Sequence, residues 1–307
     1  NSGNGGWVTA VSQYNIGIGH YTLDGAMNGA VNNVAVGHEA LSSVTTADNN
    51  TAIGYQALNS TATAQNNTAV GYLALEELTF NGNSYNTAVG VESGKELTTG
   101  IKNTFIGGFA GQSSTDLDLA VLIGYGAGDS VLTSDADGTV GIGAFAASTI
   151  TSGIGNTAVG YEALKAEDDG DKSTAIGYQA LVNQTGTTGT VGNTAIGYQA
   201  GQSVLTGVRN TYIGAAAGNK GSGSAADDNT AIGFRSLRVN TSGSRNTSLG
   251  AYSVQQMVNA RDTVAIGYYT LANALTSTDI DGSVAIGSFS QAENRTGQGL
   301  TSVGFET

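Results

Sequence analysis

One phrase, Asn-Thr-Ala-Ile-Gly-Tyr-Gln-Ala-Leu, recurs with small variations along the whole chain and constrains its fold more than any other feature. Aligned on the glycine, the copies fall at Gly19, Gly37, Gly54, Gly71, Gly90, Gly107, Gly124, Gly143, Gly160, Gly177, Gly197, Gly214, Gly233, Gly250, Gly267, Gly287 and Gly304. These seventeen anchors are 17–20 residues apart. A unit this short cannot bury its own apolar face, whereas stacked units can. No segment has the sustained 3.6-residue periodicity of a helical repeat, and glycine is too frequent for one. The expected fold is therefore all-β: a parallel β-solenoid of about seventeen stacked rungs, forming one repeat domain over residues 1–307.

The aligned columns predict the role of each position. The residue before the anchor is Ile or Val in sixteen rungs and Leu249 in the other. Such a column reads as a strand residue facing the core. Thr occupies the position three before the anchor in eleven rungs, and the two-residue strand period puts it on the same face as the Ile. Ala prevails two before the anchor and takes the other face. Since that column also holds Phe105, Leu122 and Tyr212, it is expected to face solvent or another chain. Asn stands four before the anchor in eleven rungs, suited to a turn or to a stacked amide ladder. The anchors, among them Gly54, Gly71, Gly90, Gly160, Gly177, Gly197 and Gly233, end the strand where the backbone needs positive φ. Three after the anchor the residue is always Ala, Ser or Thr, as at a crowded inner corner. Four after it Leu alternates with Gly, and the volume missing at Gly is expected to be filled from the next part of the coil.

Composition fits this reading. There are 47 glycines, no proline and no cysteine. Proline would remove a ladder hydrogen bond from strands paired on both sides, and no disulfide or thiolate metal site is possible. Acids outnumber bases 24 to 11, which disfavours nucleic acid as a partner. No run reaches the ~18 apolar residues of a membrane span, so no membrane insertion is expected of this segment. The chain opens at Asn1 and ends inside the repeat pattern, as expected of a segment of a longer fibre or an end-to-end stacking subunit.

The cores Asn50–Leu58, Asn67–Leu75, Asn156–Leu164, Thr174–Leu181 and Asn193–Gly201 resemble the head repeats of trimeric autotransporter adhesins (the YadA type) and the similar arrays of bacteriophage tail fibres. Degenerate copies such as Val284–Ser290 extend the resemblance over the whole chain. It implies a left-handed parallel β-roll, homotrimeric about its long axis and exposed outside a cell or on a virion. The adhesin repeat is shorter, so the coil here carries an extra loop.

The candidate sites are few. His20 and His38 follow consecutive anchors and could gather imidazoles for a metal, but theirs is a column rich in aromatic residues: Tyr55, Tyr72, Tyr161, Tyr178 and Tyr198 share it. These tyrosines form a candidate contact surface, able to stack on sugars or on a neighbouring chain. Asp135 and Asp137, and likewise Asp279 and Asp281, precede glycines in the longer intervals. Calcium favours clustered oxygens, whereas an Asp-Gly turn is the plainer account. No phosphate loop or nucleophilic triad is present. The expectation is a non-enzymatic fibre segment without cofactor that mediates attachment to a cell-surface glycan or protein. The alternatives are a passive spacer, a tailspike-like depolymerase, and an ice-binding solenoid using the Thr column.

Overall fold

The structure, a computed structural model, describes residues 12–186, 189–220, 226–273, 280–293 and 297–307. Each repeat contributes one three-residue strand, ended by its anchor glycine, and a 3-10 turn spans Ser134–Ala136. The chain divides into two units, Asn1–Gly155 and Asn156–Thr307.

In the first unit the ladder strands are Ile16–Ile18, Val34–Val36, Thr51–Ile53, Thr68–Val70, Thr87–Val89, Thr104–Ile106, Val121–Ile123 and Val140–Ile142. Each pairs in parallel with the next and in register, so that Thr51 meets Thr68, Ala52 meets Ala69 and Ile53 meets Val70. A two-residue pair, Ala64–Gln65 against Gly82–Asn83, lies on a second side of the coil. In the second unit the ladder runs through Thr157–Val159, Thr174–Ile176, Thr194–Ile196, Thr211–Ile213, Thr230–Ile232, Thr247–Leu249, Val264–Ile266, Val284–Ile286 and Thr301–Val303. Its short second pair is Gly170–Asp171 against Gly189–Thr190. Both units are parallel β-solenoids, as the repeat predicts.

The strand faces are the reverse of the expectation. The Ala column is fully buried, from Ala35, Ala52 and Ala69 to Ala158, Ala175 and Ala195, and the Asn column beside it is buried too. The Ile/Val column points outward: Ile53 is 40% exposed, Ile176 38% and Val303 67%. The two-residue period does place Thr with Ile and Asn with Ala. What fixes the inner pair is the Asn amide, whose oxygen and nitrogen find their partners inside the coil; the strand period then turns Ala inward beside it.

Inside, the asparagines form a ladder. In the first unit Asn50 N–H donates to Asn33 Oδ1 at 3.0 Å, Asn67 N–H to Asn50 Oδ1 at 2.9 Å, and Asn86 N–H to Asn67 Oδ1 at 3.0 Å. Each Nδ2 can donate across the coil, as Asn33 does to Ala47 O at 2.7 Å and Asn50 to Ala64 O at 2.9 Å. The second unit repeats this: Asn210, Asn229 and Asn246 N–H groups donate to Asn193, Asn210 and Asn229 Oδ1 at 2.8–3.0 Å. Backbone donors and carbonyls that the narrow strands leave unpaired are thus satisfied by side chains, as burial requires.

The anchor glycine and the leucine four after it have different backbone demands. At Gly71, φ is +148°, and an added Cβ would lie 2.1 Å from the carbonyl oxygen of Gly90 in the next rung. Only glycine fits there. Leu58, Leu164 and Leu181 adopt φ near +50° and are fully buried. The left-handed conformation costs about 1–2 kcal/mol, and burying a leucine contributes about 1.5–3 kcal/mol, so burial carries the position.

Where Gly replaces this Leu, a large side chain in the Ala column, of the same rung or the next, takes up the missing volume. The Phe105 ring, in the Ala column, would lie 2.6 Å from a Cβ on Gly94 and 2.9 Å from one on Gly111. Tyr212 fills the space over Gly218 at 2.4 Å in the same way, and Leu122 that over Gly128 at 2.7 Å. Phe105→Ala is therefore expected to lose about 3–5 kcal/mol in urea denaturation. Phe105→Ala/Gly111→Leu rebuilds the ordinary Ala–Leu rung and should recover a large part of that loss. A double variant no more stable than Phe105→Ala would contradict this exchange of volume.

Candidate binding surface

Three outward columns surround the buried Asn–Ala stripe. The first is the Thr/Ile strand face. Thr side chains on it are half-buried and the aliphatic residues two positions on are half-buried to exposed, giving each unit an apolar stripe at strand spacing. Exposed apolar stripes of this continuity mark contact surfaces. The sequence carried a signal for it: an Asn–Ala face is the one whose polar groups can be satisfied only from within the coil.

The second column follows the anchor. Tyr55 and Tyr72 stack with centroids 5.3 Å apart and planes at 16°. Tyr161 and Tyr178 repeat this at 5.3 Å and 16°, and Tyr178 and Tyr198 at 5.4 Å and 13°. His38 stacks on Tyr55 at 5.4 Å and 11°, and His20 lies 5.6 Å from His38. The structure thus brings the two histidines and two of the tyrosines into one aromatic ladder, and the other three tyrosines into another. No group of three His, Cys, Asp or Glu side chains among the described residues is placed to hold a metal ion. The stacked rings cover one another's faces and present edges and hydroxyls, so a sugar has a ring face to stack on only at a ladder's end.

The third feature is the aspartate turn. Asp137 Oδ1 accepts from Asp118 N–H at 2.8 Å, and Asp281 Oδ1 from Arg261 N–H at 2.8 Å. Asp48, Asp118 and Asp227, also six before an anchor, accept from Val31, Ile101 and Val208 N–H at 2.7–2.9 Å. Each carboxylate caps the backbone of the preceding rung, with Gly138 and Gly282 in the left-handed conformation one residue on. This device accounts for the Asp-Gly pairs. Asp135 is exposed in the 3-10 turn, and Asp279 lies outside the described residues.

A scan against known protein families finds no matching model, and no curated protein sequence matches the chain.

Burial pushes the Asp137 carboxyl above the usual carboxylate range, reinforced by the charges of Asp118, Asp116 and Asp135. A raised folded-state value means that the ionised form weakens the fold, and that the weakening disappears on protonation. Asp137→Asn keeps the acceptor for Asp118 N–H and removes the charge. It should raise the Tm at pH 7, and the gain should vanish below about pH 4, where both states are protonated. A variant with lower Tm at pH 7 would contradict this assignment.

Proposed function

We propose that this chain is a structural and adhesive segment of an extracellular fibre, of the kind carried on a bacterial surface or a phage tail. It assembles as a homotrimer of left-handed coils and contributes to attachment to a cell-surface glycan or protein. The observation that supports this reading most is the outward Ile/Val stripe. A column of β-branched aliphatics exposed to water along a parallel sheet is what a self-complementary interface around an axis needs, and burying it removes apolar surface at about 25 cal/mol per Å². The resemblance of Asn50–Leu58 and its copies to adhesin head repeats supports the same geometry. The role is mechanical rather than catalytic, and no helix of the described residues is long and apolar enough to cross a membrane.

The outward face also favours a second reading. Thr and Ile side by side at strand spacing form a regular array that orders water, as an ice-binding surface does. Sedimentation velocity separates the two. The parent chain is expected to be a trimer, and Ile53→Lys/Val70→Lys/Val89→Lys a monomer with unchanged circular dichroism, since these side chains point outward. A monomeric parent would overturn the trimer, and thermal hysteresis in that monomer would establish the water-ordering reading in its place.

A further inference from the structure

The aromatic ladders have a chemical property beyond packing. Tyr161, Tyr178 and Tyr198 are 42–54% exposed, and Tyr55 and Tyr72 are similarly open. Their centroid spacings of 5.3–5.4 Å exceed that of a biaryl by less than one C–C bond length, ~1.5 Å. Exposed side chains reorient within picoseconds to nanoseconds, so neighbouring rings reach edge contact without any change in the coil. Tyr161 is hydrogen-bonded to Glu162, and the charge of Glu162, the foremost cause, holds the phenol above its ordinary pKa. Glu162 is itself kept ionised by its hydrogen bonds to Lys165, at 2.7 Å, and to Gln179, at 2.8 Å. The carboxylate is therefore placed to take the phenolic proton as an electron leaves the ring. A different environment surrounds Tyr125: its ring neighbours are Phe109 and Phe145, at 5.4 and 5.5 Å.

We propose that the stacked tyrosines are sites of oxidative coupling, at which a haem peroxidase with hydrogen peroxide joins consecutive rungs through dityrosine. Each of two phenols gives one electron to the oxidant and one proton to Glu162 or water. The two phenoxyl radicals combine, forming one C–C bond between ring carbons ortho to oxygen. The hydrogen on each coupled carbon then moves to the oxygen and both rings regain aromaticity. The two electrons and two protons reduce one peroxide to two waters. In a chain without cysteine, these links supply the covalent staple that a disulfide supplies elsewhere. The pairs lie within one chain, so the inference stands apart from the trimer.

The test treats the full chain, dilute, with peroxidase and limiting peroxide, and maps crosslinked peptides by tandem mass spectrometry. The expected products lack two hydrogens, show dityrosine fluorescence, and join Tyr55 to Tyr72, Tyr161 to Tyr178 and Tyr178 to Tyr198. Tyr178→Phe should abolish every link to Tyr161 and Tyr198, which stand two rungs or ~10 Å apart, and leave Tyr55–Tyr72 intact. Glu162→Gln should slow coupling at Tyr161 several-fold against the Tyr55–Tyr72 pair in the same molecule. Peroxide consumed without crosslinks, links only between chains, or links at Tyr125 as frequent as in the ladders would each overturn the proposal.

Discussion

The hydrogen bond from one rung's backbone N–H to the asparagine side chain of the rung before it is the interaction on which the remaining structure depends. Three-residue strands leave the residue four before the anchor outside the ladder, yet deep in the coil. An asparagine there offers Oδ1 to the next backbone donor and Nδ2 to a carbonyl across the turn, as Asn50 does with Asn67 N–H and Ala64 O. With that amide fixed inward, the strand period places Ala inward and Thr and Ile outward. Where asparagine is absent, Thr139, Ser173, Thr263 and Ser283 stand in four rungs and Ala120 and Leu300 in the other two: Thr139 Oγ1 donates to Ala136 O at 2.7 Å, and Ser173 N–H still finds Asn156 Oδ1 at 2.8 Å. Removing such a partner leaves a buried donor unsatisfied, at about 1–3 kcal/mol.

The outer surface is held to weaker rules, and the two units show it. In the first, the corner residue before the interior asparagine builds an amide ladder, Asn32 to Asn49 and Asn49 to Asn66, each at 3.2 Å. In the second, the same corner carries bidentate ion pairs, Arg209 with Asp228 and Arg245 with Asp262, closest at 2.6 Å. These exposed pairs contribute little to stability. The corner backbone is left-handed in every one of these residues, so conformation is kept while chemistry varies. The first unit has twelve acids against two bases and the second twelve against nine; the imbalance in charge is borne by positions that the coil does not constrain.

The period, the anchors, the parallel pairing and the crowded corner three after each anchor were legible in the sequence, because each is a local demand repeated many times. Asp137 and Asp281 were legible as turns for the same reason. The facing of the strand was not. A uniform Ile/Val column looks the same whether it fills a coil or faces outward; the signal that separates the two lies in the Asn column, whose amides find their partners inside. The partner of the Gly94 and Gly111 gaps was also hidden, since Phe105, in a column expected to face outward, fills Gly111 within its own rung and Gly94 from the next. The stacking of His38 on Tyr55 follows from the shared column, but the covering of ring faces needed the spacing itself.

Backbone hydrogen exchange at Asn229 tests the asparagine ladder most directly. Its N–H donates at 2.9 Å to the side chain of Asn210 rather than to a backbone carbonyl. The account predicts that this amide exchanges as slowly as the ladder amide of Thr230, and that in Asn210→Ala it becomes fast while Asn67, in the other unit, keeps its protection. Fast exchange at Asn229 in the parent chain, or protection unchanged in the variant, would contradict it.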